Sequence, residues 1–133
     1  MHRIEKKEFG FQLTFGGDRI EVAEMNQWRQ EAQTALTGAA KAFGVLIDMR
    51  SLKPGAIQPD AQKVMVEGQG LFKKAGMQRS CVILQSATVT MQFERIARES
   101  GIFAFERYVN AAAKPDWEAK AVGWIRNGVD PNA

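Results

Sequence analysis

The chain has 133 residues, of which 45% are hydrophobic and 25% charged, a composition typical of one folded domain and not of a disordered chain. Its formal net charge of +3 comes from basic residues interspersed with acidic ones, so the charge pattern predicts no nucleic-acid-binding face. No apolar run approaches the roughly 20 residues that cross a bilayer, and no apolar segment follows the charged N-terminus. We therefore expect no integral membrane segment, no signal peptide and a cytoplasmic location.

Cysteine and histidine each occur once, as Cys81 and His2. A lone cysteine forms no intramolecular disulfide, and Cys81 lies in an apolar segment that predicts a small buried side chain. A catalytic thiolate needs an activating base, and a zinc site needs several such ligands. The sequence therefore indicates neither cysteine–histidine catalysis nor a metal site. No cofactor is indicated either, because Gly68-Gln69-Gly70 lies inside a predicted helix and not in a phosphate-binding turn.

The first segments change from a strand pattern to a helix pattern. Phe11, Leu13 and Phe15 alternate with polar residues, which is the period of a half-buried strand, and we predict an antiparallel hairpin over roughly 3–15. From Val22 to Leu36 the apolar residues recur every three or four positions. That spacing predicts the first helix.

The central part of the chain predicts a buried strand at Phe43–Asp48, because its apolar run is nearly continuous. The clearest helix pattern begins near Pro59 and ends at Gly76, with Gly68 on its apolar side. A second apolar run, Cys81–Leu84, predicts another buried strand.

The remaining elements complete a repeating order. We predict a helix from Val89 to Ser100, a strand from Ile102 to Val109 and a terminal helix from Trp117 to Gly128. The order is β-β-α-β-α-β-α-β-α within a single domain, residues 1–133. Such alternation predicts an α/β fold with a mostly parallel sheet, an N-terminal antiparallel hairpin and about four helices.

Polar side chains follow two of the predicted parallel strands. Asp48, Arg50 and Ser51 end the central strand, and Ser86 and Thr88 follow the next one. Ligands of open α/β sheets bind at the carboxyl ends of the strands, so these five residues are candidates for ligand or partner binding. In a catalytic interpretation, Asp48 acts as a base and Arg50 binds an anion. In the structural interpretation, the same side chains hydrogen-bond the loops and cap a helix, with Ser86 or Thr88 as the N-cap.

The order of elements resembles the STAS domain, and more closely the stand-alone bacterial SpoIIAA-like proteins, which are related in fold to the lipid-carrying CRAL-TRIO domain. The marks of the resemblance are Val45-Leu46-Ile47-Asp48, Phe105-Glu106-Arg107-Tyr108, Trp117-Glu118-Ala119 and Gly123-Trp124-Ile125. The resemblance covers nearly the whole chain and implies a regulatory domain that works through protein contacts.

One family feature is missing. Anti-sigma-factor antagonists of this family carry a phosphorylatable serine where the helix after the central strand opens. Here that place reads Gln58-Pro59-Asp60-Ala61, without a hydroxyl group. Asp60 imitates a fixed negative charge at the helix start in one interpretation and simply caps the helix in the other.

Three functional hypotheses follow. The first is a non-enzymatic STAS-like interaction or regulatory module that binds a protein partner. The second is a carrier of a small apolar or lipid-like ligand, in a cavity lined by phenylalanines and by Met25, Met65, Met77 and Met91. An enzymatic role has the least support, because no catalytic constellation is recognisable. The sequence indicates no oligomeric state.

Overall fold

The predicted N-terminal hairpin forms one edge of a five-stranded sheet in a computed structural model that describes residues 1–133. Strands β1 (His2–Lys7) and β2 (Gly10–Phe15) pair antiparallel. Strands β3 (Phe43–Asp48), β4 (Met77–Leu84) and β5 (Glu106–Asn110) follow in chain order, each parallel to its neighbour. The predicted fold class, an α/β domain with a mostly parallel sheet and an antiparallel hairpin, is confirmed.

Three helices connect the parallel strands: α1 (Val22–Leu36), α2 (Pro59–Ala75) and α3 (Ala87–Ser100). Because β2 to β5 are neighbours in both chain and space, right-handed crossovers put all three helices on one face of the sheet, where α2 packs against both α1 and α3. The terminal helix α4 (Trp117–Asn127) packs over β3, β4 and β5. None of the helices combines the length and the apolar character needed to cross a membrane.

The sheet separates two hydrophobic cores. Beneath α1 to α3 lies the larger core, to which β2 contributes the alternating side chains of Phe11, Leu13 and Phe15. The smaller core is formed by α4 and the opposite sides of β3 to β5 and contains Leu46, Cys81, Ile83, Val109, Ala121, Trp124 and Ile125. Every residue of β3 is buried, as its continuous apolar run predicted.

The last strand is shorter than predicted. A 3₁₀ helix, Phe103–Phe105, occupies the start of the predicted Ile102–Val109 strand, and β5 begins only at Glu106. The reason lies at the end of α3, where Gly101 adopts a left-handed conformation and the Ile102 N–H donates to the Ala97 carbonyl. The chain is therefore still turning where the aromatic residues favoured a strand.

Strand β4 begins earlier than the apolar run Cys81–Leu84 suggested, since Met77 to Ser80 also belong to it. Two of these additional residues make specific bonds. Arg79 donates a hydrogen bond to the carbonyl of Ile125 in α4, and Ser80 bonds to Glu106 in β5. Arg79 and Ser80 are accommodated in this half of the strand because each finds a partner, and Gln78 is exposed.

Gly68 lies on the buried side of α2, and its lack of a side chain makes room for Trp28 of α1. A Cβ atom at this position would lie 2.1 Å from Cζ3 of the Trp28 ring. The glycine thus serves close helix packing, as its place on the apolar side of the helix predicted. Trp28 also stacks on Phe72 and meets the edge of Phe15, with ring centroids 6.2 and 5.4 Å away.

Candidate functional site

The end of β3 carries a self-contained ion pair. The Asp48 carboxylate accepts hydrogen bonds from the Arg50 backbone N–H at 3.1 Å and from its guanidinium Nε and Nη2 at 3.0 and 2.9 Å. Burial raises the pKa of Asp48, but the hydrogen bonds and the charge of Arg50 outweigh it, and the pKa lies below its ordinary value. Asp48 is therefore an ionised carboxylate with both oxygens hydrogen-bonded to Arg50, and it is poorly suited to act as a general base.

Arg50 has a second contact, because its guanidinium carbon lies 4.2 Å from the centroid of the Trp117 ring at the start of α4. The guanidinium is thus held between a carboxylate and an aromatic face, an arrangement that fixes its orientation. The Asp48–Arg50 pair joins the loop after β3 to the helix on the opposite side of the sheet.

We expect Asp48→Ala to lower the free energy of unfolding by about 1–3 kcal/mol, because the Arg50 backbone N–H and guanidinium lose their acceptor. Urea unfolding followed by circular dichroism measures the change. Asp18→Ala is the matched control, since Asp18 is exposed and its side chain makes no hydrogen bond or ion pair. An equal loss in both variants would contradict the role assigned to Asp48.

A cleft with a volume of about 200 Å³ opens beside this pair, between the loop after β3 and the start of α3. We call it the carboxyl-edge cleft. Three of the predicted residues, Arg50, Ser51 and Ser86, line it. The other residues that line it are Met49, Leu52, Lys53, Pro54, Gln85 and Val89. The lining thus includes two cationic side chains and two hydroxyl groups but no acidic side chain.

Ser86 also caps α3, since its Oγ accepts a hydrogen bond from the Val89 N–H at 3.4 Å. The positive end of the α3 backbone dipole is therefore at the carboxyl-edge cleft. The sequence left Ser86 and Thr88 as alternative caps, and the structure selects Ser86.

The remaining two predicted residues lie elsewhere. Thr88 is exposed and lines a shallow groove with Met91 and Arg95, outside the carboxyl-edge cleft. Asp60 is in the first turn of α2, where its carboxylate accepts a hydrogen bond from the Ala61 N–H at 2.9 Å. The prediction that Asp60 caps α2 is wrong, because the N-cap position is Gln58 and no side chain makes a capping hydrogen bond there. Asp60 lies inside the first turn, where its negative charge faces the positive end of the helix dipole.

A second polar cluster is buried in the larger core, and the sequence did not reveal it. Glu106 of β5 is only 2% exposed. Its Oε1 accepts a hydrogen bond from Ser80 Oγ at 3.0 Å, and its Oε2 accepts one from the Tyr108 hydroxyl at 2.6 Å. Burial raises the pKa of Glu106 to about 7, although both hydrogen bonds act to lower it. Burial and the nearby Glu106 raise the pKa of Tyr108 as well.

Glu106 and Ser80 line an internal cavity with a volume of about 20 Å³, and 12 of its 15 lining residues are hydrophobic. Trp28 lines the same cavity. The Trp28 side chain is buried, and no group accepts a hydrogen bond from its indole Nε1–H. An unpaired buried donor is unusual in a folded protein and calls for an explanation.

The methionines are divided between interior and surface. Met65 and Met77 line the cavity, together with Met49, whereas Met25 is buried elsewhere and Met91 is 71% exposed. The suggestion that methionines line an internal space therefore applies to two of the four residues named from the sequence.

Sequence reasoning missed Lys53, Trp28 and Glu106. The alternation of β5 does place Glu106 and Tyr108 on one face of the strand. What the sequence lacks is the register that pairs Ser80 with Glu106 across β4 and β5.

Comparisons with models of protein families, with curated proteins and with solved structures found no match to this chain. In the structure, no group of three or more histidine, cysteine, aspartate or glutamate side chains comes together as a set of metal ligands.

Proposed function

We propose that this chain is a non-enzymatic interaction module of the STAS-like, SpoIIAA-like kind, which binds a protein partner through the carboxyl-edge cleft. One observation carries the proposal: the cleft combines Lys53 and the Asp48-paired guanidinium of Arg50 with the hydroxyl groups of Ser51 and Ser86, and no acidic side chain lines it. The partner that fits such a lining presents an acidic side chain or a carboxylate to the cleft.

The chemistry of the cleft favours binding over catalysis. Asp48 is the best candidate for a general base, but both of its carboxylate oxygens accept hydrogen bonds from Arg50. The buried Cys81 belongs to the smaller core, and burial raises the pKa of its thiol to about 12, which keeps it protonated. Neither group offers a nucleophile or a base to a molecule in the cleft.

The proposal does not include regulation by a phosphorylated serine, because no hydroxyl group occurs in Gln58-Pro59-Asp60-Ala61. Ser51 is the nearest hydroxyl to this segment on its N-terminal side, and it lies in the loop before α2 and not at the start of that helix. We propose a module that binds constitutively or under the control of a ligand.

The proposal predicts that Lys53→Glu weakens capture of the native partner by about tenfold or more, because it places a negative charge opposite an acidic group. Quantitative pull-down from the native extract, at low and high salt, measures the effect. Lys63→Glu is the matched control, since Lys63 is exposed on α2 and lies outside the cleft. Equal capture by the two variants would argue against the cleft as the binding surface.

A second candidate function is the carriage of a small apolar ligand in the internal cavity, and the predominantly hydrophobic lining favours it. A volume of about 20 Å³ admits one oxygen-sized group. A larger ligand therefore requires the adaptable side chains of Met49, Met65 and Met77 to move.

A further inference from the structure

We propose that the internal cavity recognises its ligand through a hydroxyl group, which accepts a hydrogen bond from the Trp28 indole N–H and donates one to the Glu106 carboxyl group. The ligand is thus a small, uncharged, mainly apolar alcohol or phenol. This inference deepens the second candidate function and rests on it.

The first step concerns the indole. Its Nε1–H is a donor only, so any group that satisfies it must be an acceptor. Trp28 is 1% exposed, so bulk solvent does not satisfy the donor, and leaving it unpaired at this depth destabilises the fold. The other buried indole, that of Trp124, donates to the carbonyls of Ser80 and Phe105. The unpaired state is therefore specific to the tryptophan that lines the cavity.

The second step concerns the carboxyl group. Ser80 and Tyr108 each donate one hydrogen bond to Glu106, one to each oxygen. A carboxylate offers about four acceptor positions, so it can accept a further bond from a donor in the cavity. Water and the hydroxyl group of an alcohol or phenol are the smallest neutral groups that both accept and donate at one oxygen, so a ligand hydroxyl group would take the position that one water molecule can fill. Against the ionised carboxylate, a carbonyl group fails because it only accepts, an ammonium group fails because it cannot accept from the indole N–H, and an anionic ligand is repelled.

The third step concerns shape. Stacking on Phe72 and the approach of Gly68 hold the Trp28 ring in place, so the donor is oriented before a ligand arrives. The volume of about 20 Å³ holds one water molecule or one hydroxyl oxygen, while an engineered cavity that holds benzene measures about 150 Å³. The hydrocarbon part of the ligand therefore displaces side chains of the wall, of which the three methionines are the most adaptable.

Phenol and toluene test the inference, because they have nearly the same size and differ by the hydroxyl group. Each is titrated into the intact protein at equal concentrations while the three tryptophan indole N–H resonances are followed by NMR. We expect phenol to bind at least about tenfold more tightly than toluene, because a site built for a hydroxyl group discriminates against the analogue that lacks it. We also expect phenol to shift the Trp28 indole proton downfield while the Trp124 resonance stays in place.

Trp28→Phe keeps an aromatic ring and removes the donor, and in this variant the preference for phenol should fall to within about twofold. Should this variant fail to fold, the resonances of the unmodified protein still decide the matter. Binding of toluene as tightly as phenol would overturn the hydroxyl inference and leave the carrier function standing. Binding of neither probe would overturn both.

Discussion

Replacing Trp124 by alanine is expected to lower the free energy of unfolding by about 3–5 kcal/mol, the range for removing a large aromatic side chain from a core. Trp124 lies in the smaller core and is 8% exposed. Its indole N–H donates to the Ser80 carbonyl at 3.0 Å and to the Phe105 carbonyl at 3.3 Å. The Arg107 guanidinium lies 4.2 Å from its ring centroid. The substitution removes packing, two hydrogen bonds and a cation–π contact together.

Urea unfolding followed by far-ultraviolet circular dichroism is the suitable measurement, because the substitution itself changes the tryptophan fluorescence. Trp117→Ala is the matched control, since Trp117 begins the same helix but is only half-buried. We expect the control to lose clearly less stability. Losses of equal size would show that α4 is not anchored to the sheet mainly through Trp124.

Local periodicity predicted most of the elements because the spacing of apolar residues within each segment is enough to identify it as a strand or a helix. The alternation of Phe11, Leu13 and Phe15 already describes a strand with one buried face, and the full burial of β3 follows from its apolar run. The start of β5 was predicted wrongly because Phe103 and Phe105 favour strands, while the left-handed Gly101 keeps the chain turning. That left-handed conformation is a property of the end of α3, and it cannot be predicted from the composition of the segment that follows.

The candidate site was only partly predictable for a related reason. The rule that ligands bind at the carboxyl ends of parallel strands led to Arg50, Ser51 and Ser86, which the structure brings to one cleft. The rule does not predict which residues in the first turn of α3 still face the cleft, and Thr88 lines another groove. The sequence did not reveal the role of Glu106, because that role depends on a hydrogen bond from Ser80, which is 26 residues away along the chain.

We expect the stability of this protein to fall as the pH rises from about 4.5 to about 7, because of the buried Glu106. Burial raises the pKa of this carboxyl group from 4.5 to about 7 in the folded protein. The folded state therefore holds the proton more tightly than the unfolded chain does. The stabilisation is complete below pH 4.5, decreases through this interval and is lost above about pH 7, a total change of about 3 kcal/mol.

Glu106→Gln isolates this effect, because glutamine resembles the protonated carboxyl group and does not titrate. We expect the variant to gain about 3 kcal/mol relative to the unmodified protein between pH 4.5 and pH 8. Urea unfolding of both proteins across this range measures the difference, in which the shifted pKa values of His2, Glu24 and Asp48 cancel because both proteins share them. Glu99→Gln on the exposed side of α3 is the matched control and should follow the unmodified protein at every pH. A stability difference between Glu106→Gln and the unmodified protein that stays constant across the range would mean that the folded-state pKa of Glu106 is not raised, so that its carboxyl group is ionised in the core throughout the range. The hydrogen bonds from Ser80 and Tyr108 would then have to offset the cost of burying its charge.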